Sequence, residues 1–427
     1  MMLQKNRLKK GLVNLLTLRN KRFLLILFGL LTILFMPQKV EGASIAPSTV
    51  CVPIVYVLDG GTNSIKNPRE IEENEEVILH QPYKNGYCFD GWYLDPSYKS
   101  EVKSILGEKN AVCFVFAKWI PRIDNYKNVL EYSYHSESTT LKDLEFEFME
   151  QIGIPGMPGV EVEDADELVY SEAECPQGMC VTDKYVLITS YASHENCLGE
   201  LLVFDKETGE LLVTLGMDAN SHLGGITWDG NNVWVCNSYE KTIERISYDF
   251  IDLMAVQNKG KKIDATSLVD SYSVKNSPSC ITYYGGRLWI ATHHILFDSQ
   301  MIAYQYDEVE EKLIQLSSYN IPSKVQGISF DENGYVYLST SYGRTFSSYL
   351  KVYSSVTALA TKPNSPDIEI EMPPCSEEID IYAGKIYMIF ESAGEKYLLG
   401  TDGKGKSPCP IDKILKLSIS SIKENIT

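Results

Sequence analysis

The chain has 427 residues, 44% hydrophobic and 22% charged, with 57 acidic against 39 basic side chains and a formal net charge of −18 at pH 7. That balance is globular and excludes wholesale disorder, and the length allows two or three domains around a large core. The negative charge repels phosphate backbones and anionic lipid surfaces, so it argues against nucleic acid as a partner.

Residues 1–22 carry Lys5, Arg7, Lys9, Lys10, Arg19, Lys21 and Arg22 with no acid among them, and 23–36 is apolar apart from Gly29 and Thr32. Such a run is short for a bilayer span but matches the apolar core of a secretory signal. Val40 and Gly42 fit the small-residue cleavage rule, so residues 1–42 are expected to be a signal peptide cut after Gly42. An uncleaved anchor is the alternative, and the only membrane attachment on this reading. The expected location is secreted or in the cell envelope, outside the cytoplasm.

The next module, 50–120, has four signatures in order. They are Tyr56-Val57-Leu58-Asp59-Gly60-Gly61-Thr62-Asn63, Asn67-Pro68, Gly86-Tyr87-Cys88-Phe89-Asp90-Gly91-Trp92-Tyr93 and Phe116-Ala117-Lys118-Trp119. Asp59-Gly60-Gly61 supplies a turn with positive φ, and Trp92 and Trp119 can fill a core too small for aliphatics alone. The pattern, over 54–119, resembles the Listeria-Bacteroides repeat, the B-repeat of internalin-like surface proteins. The resemblance implies a small β-grasp-like fold on secreted or envelope proteins of bacteria, serving attachment or adhesion and lacking catalysis.

Residues 121–174 read as an acidic linker. Within it Leu144, Phe146 and Phe148 alternate with Glu145 and Glu147, a short half-buried strand that could close a ring with the C-terminal segment. From 175 to 420 one unit recurs. Its clearest copy is Val325-Gln326-Gly327-Ile328-Ser329-Phe330-Asp331, a Glu332-Asn333-Gly334 turn, Tyr335-Val336-Tyr337-Leu338-Ser339-Thr340 and, after a polar loop, Tyr349-Leu350-Lys351-Val352-Tyr353. This is an antiparallel meander. The aligned positions Met179, Ile226, Ile281, Ile328 and Ile379 lie 47, 55, 47 and 51 residues apart. Four-stranded propeller blades have this period, so the expected fold class is all-β: a small β-grasp-like module followed by a β-propeller, five-bladed rather than six.

No CxxC or paired Cys/His spacing of zinc type occurs among the ten cysteines, so no metal centre and no cofactor is expected. Cys175 and Cys375 each stand four residues before an aligned core position, in the first and last units. Ring closure makes those units neighbours, so the pair is a disulfide candidate; two buried thiols are the alternative. Gly400-Thr401-Asp402-Gly403-Lys404-Gly405-Lys406-Ser407 matches the phosphate-loop pattern, but Pro408-Cys409-Pro410 forbids the helix that pattern needs, and a solvated loop is expected. His293 and His294 are adjacent on a strand and point to opposite faces, a poor chelate. Asp183, Asp229 and Asp331 stand where hairpin turns begin. Turn formation accounts for them, with structural calcium as the alternative.

The best site candidates are the residues that open each innermost strand, because ligands of propellers sit around the central channel. They are Gln177 with Gly178, Gly224 with Gly225, Ser279 with Cys280, Gln326 with Gly327, and Glu377 with Glu378; His222 precedes one of these strands. The fourth unit, from Gln326-Gly327-Ile328 through Ser339-Thr340-Ser341-Tyr342-Gly343-Arg344, resembles a repeat of the five-bladed glutaminyl cyclases. Where that family places an acid this unit has Leu338-Ser339-Thr340, and Phe390-Glu391-Ser392-Ala393-Gly394 of the last unit offers Glu391 as the one acid to carry across. The sequence therefore favours a secreted or surface binding protein over an enzyme of cyclase or lactonase type. Its partner would be an extracellular ligand, a glycan or a host or bacterial surface protein.

Overall fold

In the computed structural model of the chain, the described residues are 51–424 apart from 85–86, 109–110, 136–138, 155, 159–173, 193–197 and 218–221. The expected signal peptide and Cys197 lie outside them.

The N-terminal module is built on a five-stranded sheet with strand order Glu70–Glu72, Cys51–Val57, Cys113–Pro121, Tyr87–Tyr93, Glu101–Val102. Cys51–Val57 runs parallel to Cys113–Pro121 and its other pairings are antiparallel. Val52 and Ile54 alternate with exposed residues and point into a core shared with Ile71, Trp92, Val115 and Ala117. The tryptophans close it. Trp92 meets Tyr56 and Phe89 edge-on at 5.4 and 5.3 Å, and the Trp119 indole donates to the Leu58 carbonyl at 2.9 Å. Leu58 starts the Asp-Gly-Gly turn, where Asp59 and Gly60 take φ values of 44° and 84°, and a Cβ on Gly61 would stand 2.5 Å from the Trp119 ring. The turn and the aromatic plug are thus one device.

Five further sheets follow. The first is Glu174–Val181, Tyr185–Ala192, Glu200–Asp205 and Leu211–Gly216, with Lys261–Asp264 added in parallel at its outer edge. The second is Ile226–Trp228, Asn232–Asn237, Thr242–Ser247 and Asp270–Ser273. The third is Cys280–Tyr284, Arg287–Ala291, Ser299–Asp307 and Lys312–Ile321, and the fourth is Val325–Phe330, Val336–Thr340, Ser348–Tyr353 and Ile368–Met372. The fifth joins Ser376–Tyr382, Lys385–Phe390 and Leu415–Ser418 to Phe146–Phe148, which pairs antiparallel with its C-terminal strand. Each is an antiparallel meander with its first strand innermost. The innermost strands touch in the cyclic order one, two, three, four, five and back to one.

The reason is written in the repeat. Met179, Ile226, Ile281, Ile328 and Ile379 are all buried at this inner wall. The residue before each is Gly178, Gly225, Cys280, Gly327 or Glu378, and at the glycines the next strand approaches too closely for a side chain. A Cβ on Gly225 would lie 2.6 Å from the Cys280 Cα, and one on Gly327 2.7 Å from the Ile379 nitrogen. Small residues let the inner strands close; bulk between the sheets, such as Trp234, Tyr337, Tyr353 and Phe204, fills the wedges outward.

Two features go beyond the repeat. Residues 248–264 between the third and fourth strands of the second sheet form the helix Tyr248–Gln257, whose Tyr248, Ile251 and Ala255 pack on the first sheet's core, and the strand Lys261–Asp264. The segment read as a linker also carries the helix Asn125–Glu131, capped by the Asp124 side chain.

Candidate functional site at the ring mouth

The strands of the ring begin at one end, and there the polar residues converge. Gln177 donates to the Glu391 Oε2 at 3.0 Å and to the Pro176 carbonyl at 2.9 Å. Gln326 donates to the Glu377 Oε1 at 3.1 Å. The Tyr397 hydroxyl donates to the other oxygen of Glu391, and Lys396 donates to the Tyr191 hydroxyl with its ammonium 4.9 Å from the Tyr191 ring centroid and 4.8 Å from that of Tyr397. The His222 ring meets Tyr191 at 4.4 Å and stacks on Tyr239 at 6.4 Å. Glu377 is buried, whereas Glu391, Gln326, Lys396 and Tyr191 are half-buried and His222 and Tyr239 are exposed. The cluster is therefore deep on the acid side and open on the aromatic side.

Electrostatics set the protonation of the floor. Burial pushes the Glu377 carboxyl well above the usual carboxylate range, and the charge of Glu391 adds to it. Burial also raises Glu391, against the opposing effects of Lys396, Tyr397 and Gln177. Two interacting acids that burial raises together titrate as a pair rather than singly.

Glu378 has a different place from its neighbour. Its Oε1 accepts from the Ile328 nitrogen at 3.2 Å, its Oε2 has no partner at hydrogen-bonding distance, and that oxygen fills the space beside Gly225 across the ring. Burial holds this carboxyl strongly toward the neutral form. Glu378 therefore packs between the inner strands, and Glu377 faces the polar cluster. Non-glycine residues with positive φ stand just before three of the five inner strands: Leu223 at 48°, Lys324 at 65° and Cys375 at 66°. Conformations of this kind concentrate around functional sites.

Of the residues read from sequence, Gln177, Gln326, Glu377 and Glu391 come together, and His222 joins them through Tyr191. Ser279 is occupied locally, its Oγ accepting from the His293 nitrogen at 3.1 Å, while the His293 ring meets the Val325 carbonyl at 3.2 Å. Sequence reasoning missed Tyr191, Tyr239, Lys396 and Tyr397. The available signal for the last two was the long 391–414 segment between strands of the fifth sheet, which holds the short helix Glu395–Leu398.

Three local readings meet the geometry directly. Cys175 and Cys375 do lie in one buried cluster with Tyr397, but both are free thiols, so the structure has the alternative to the disulfide. The Cys375 Sγ points to the Gly343 carbonyl at 3.8 Å, and Cys175 turns toward Tyr191 and Lys396, with burial pushing it up to about 11. The 400–407 loop is solvated, as expected, with 401–406 exposed, and it is also anchored. Arg344 donates to the carbonyls of Lys396 and Gly405, both at 2.7 Å, and to both oxygens of Asp402, so the loop is spent on a buried guanidinium. Asp229 and Asp331 each receive two turn nitrogens, Asn231 and Asn232 or Asn333 and Tyr335. Among the described residues no group of three or more His, Cys, Asp or Glu is placed to hold a metal ion.

Residues 53–118 match the Listeria-Bacteroides repeat domain. Proteins carrying this repeat are typically surface-associated bacterial proteins. No curated protein matches the chain. Solved structures that align with part of the chain include the tail fiber of Staphylococcus aureus phage P68, 11% identical with a TM-score of 0.41 over 67% of this chain and 55% of that one. The nidogen/laminin complex aligns at 14% identity and a TM-score of 0.33, over 51% of this chain and 73% of that one. The hydrazine synthase of Kuenenia stuttgartiensis aligns at 10% and 0.33 over 54% of this chain, which spans 58% of the hydrazine synthase chain. Among the described residues no helix is long and apolar enough to cross a membrane.

Proposed function

We propose that this is a secreted or cell-surface bacterial binding protein, in which the repeat domain serves attachment and the five sheets are the blades of a propeller that presents a ligand at its ring mouth. The observation that carries this is the convergence of Gln177, Gln326, Glu377, Glu391, Lys396 and Tyr397 from the first, fourth and fifth sheets on one partly open cluster. A purely structural network would be closed from solvent; this one has exposed aromatic side chains on its open side.

The test uses the chain from residue 43 onward, immobilised and exposed to a panel of defined glycans and short peptides. Retention of one class, lost in the Glu377→Gln/Glu391→Gln double variant with no fall in melting temperature, is expected. Retention that ignores the double variant would remove the ring mouth as the binding site.

One observation favours a second reading, a glutaminyl cyclase-type enzyme: Glu391 is a raised carboxyl held by an amide and a phenol, as a proton carrier would be. In that reaction the α-amine of an N-terminal glutamine attacks its own side-chain amide carbon. Glu391 would take the amine proton and return it to the departing ammonia. We expect no such conversion, and ammonia loss from glutaminyl peptides in mass spectrometry, abolished by Glu391→Gln, would establish the enzyme instead.

A further inference from the structure

We infer that the ring mouth takes a neutral sugar, the terminal pyranose of a glycan, with its hydroxyls on the Glu377–Glu391 floor and its apolar face against the Tyr239 and His222 rings. This deepens the binding reading above and rests on it.

The argument begins with the polarity of the floor. The Glu377 and Glu391 carboxyls, the Gln177 and Gln326 amides and the Tyr191 and Tyr397 hydroxyls set donors and acceptors side by side, with both N–H bonds of Gln177 already directed at Glu391 and the Pro176 carbonyl. A vicinal diol also donates and accepts at every oxygen, so it can satisfy such a mixed floor without bringing a charge into it. A ligand ammonium fits less well. Lys396 already supplies a cation beside Tyr191 and Tyr397, and the carboxyls opposite hold protons through burial. A ligand carboxylate or phosphate would meet a chain of net charge −18.

The wall supplies the second, independent part. Tyr239 is 68% exposed, and its ring stacks on His222 with 22° between the planes, so a flat aromatic surface stands at the open side of the polar floor. The C–H face of a pyranose buries well on such a surface, while polar side chains at the floor fix orientation.

The test is isothermal titration of the chain from residue 43 onward with methyl glycosides of glucose, galactose, mannose and N-acetylglucosamine and with neutral oligosaccharides ending in each. At least one is expected to bind, with the dissociation constant raised at least tenfold in Tyr239→Ala and in Glu391→Gln and the melting temperature of Tyr239→Ala unchanged. In parallel, tripeptides with free and with acetylated amino termini are titrated. Binding of the free-amine peptide alone, lost in Glu391→Gln, would overturn the sugar while leaving the ring mouth as the site. Sugar binding unchanged in both variants would overturn both.

Discussion

At the scale of single residues, the buried acids define the behaviour of the ring. Glu377, Glu378, Glu391 and Asp380 are all held above their ordinary pKa, chiefly by burial, Asp380 to about 6. The fold therefore keeps protons that the unfolded chain releases above pH ~4, and each such group lowers stability by about 1.4 kcal/mol per pH unit until its folded pKa is passed. For Asp380 this window closes near pH 6, and the raised Glu377 and Glu378 act in the same direction. The melting temperature is expected to fall as pH rises from 5 to 8. Glu378→Gln keeps an acceptor for the Ile328 nitrogen and cannot ionise, so its melting temperature should exceed the parent's at pH 8, with the gap closing by pH 4.5; thermal scans across that range check it. Gly225 is the complementary case. The Cβ of Gly225→Ala would stand 2.6 Å from backbone and 2.7 Å from Glu378, and overpacking of this kind costs about 1–3 kcal/mol, read as a lower denaturation midpoint.

At the scale of elements, the strand Phe146–Phe148 shows what a short pattern can and cannot reveal. Its alternation is visible in the sequence, but its partner, Leu415–Ser418, lies about 270 residues away. Phe148 is buried in the fifth sheet's core and Phe146 only half-buried, so Phe148→Ala should lose about 3–5 kcal/mol and Phe146→Ala clearly less, by urea unfolding. The 400–407 loop makes the opposite point. Its letters match a nucleotide motif, and what holds it in place is Arg344 of another sheet, whose removal in Arg344→Met should speed limited proteolysis within 400–406 while the sheets stay folded.

At the scale of the whole molecule, residues before 174 complete the outer edge of the fifth sheet. A chain beginning at 122 retains the closing strand and the helix Asn125–Glu131, whose Asn125 and Asn128 bond Asp412 and the Pro410 carbonyl, whereas one beginning at 174 lacks both. The longer chain is expected to give a cooperative unfolding transition and the shorter one to melt lower or aggregate; a shared melting profile would show that the strand is dispensable.

By itself the sequence determined the all-β character, the repeat domain and the positions of the inner wall, because these follow from local alternation, turn residues and an internal period that any single copy displays. It also placed Gln177, Gln326 and Glu377 at the openings of their strands, since the alignment of copies is a local comparison too. Only the tertiary structure separated Glu377 from Glu378, turned one to the polar cluster and the other between the inner strands, and brought Tyr239, Lys396 and Tyr397, from loops between strands, to the end of the strand that carries Tyr191. Those loops have no period, and their meeting depends on how five sheets close around an axis, a long-range geometry that no stretch of the chain contains.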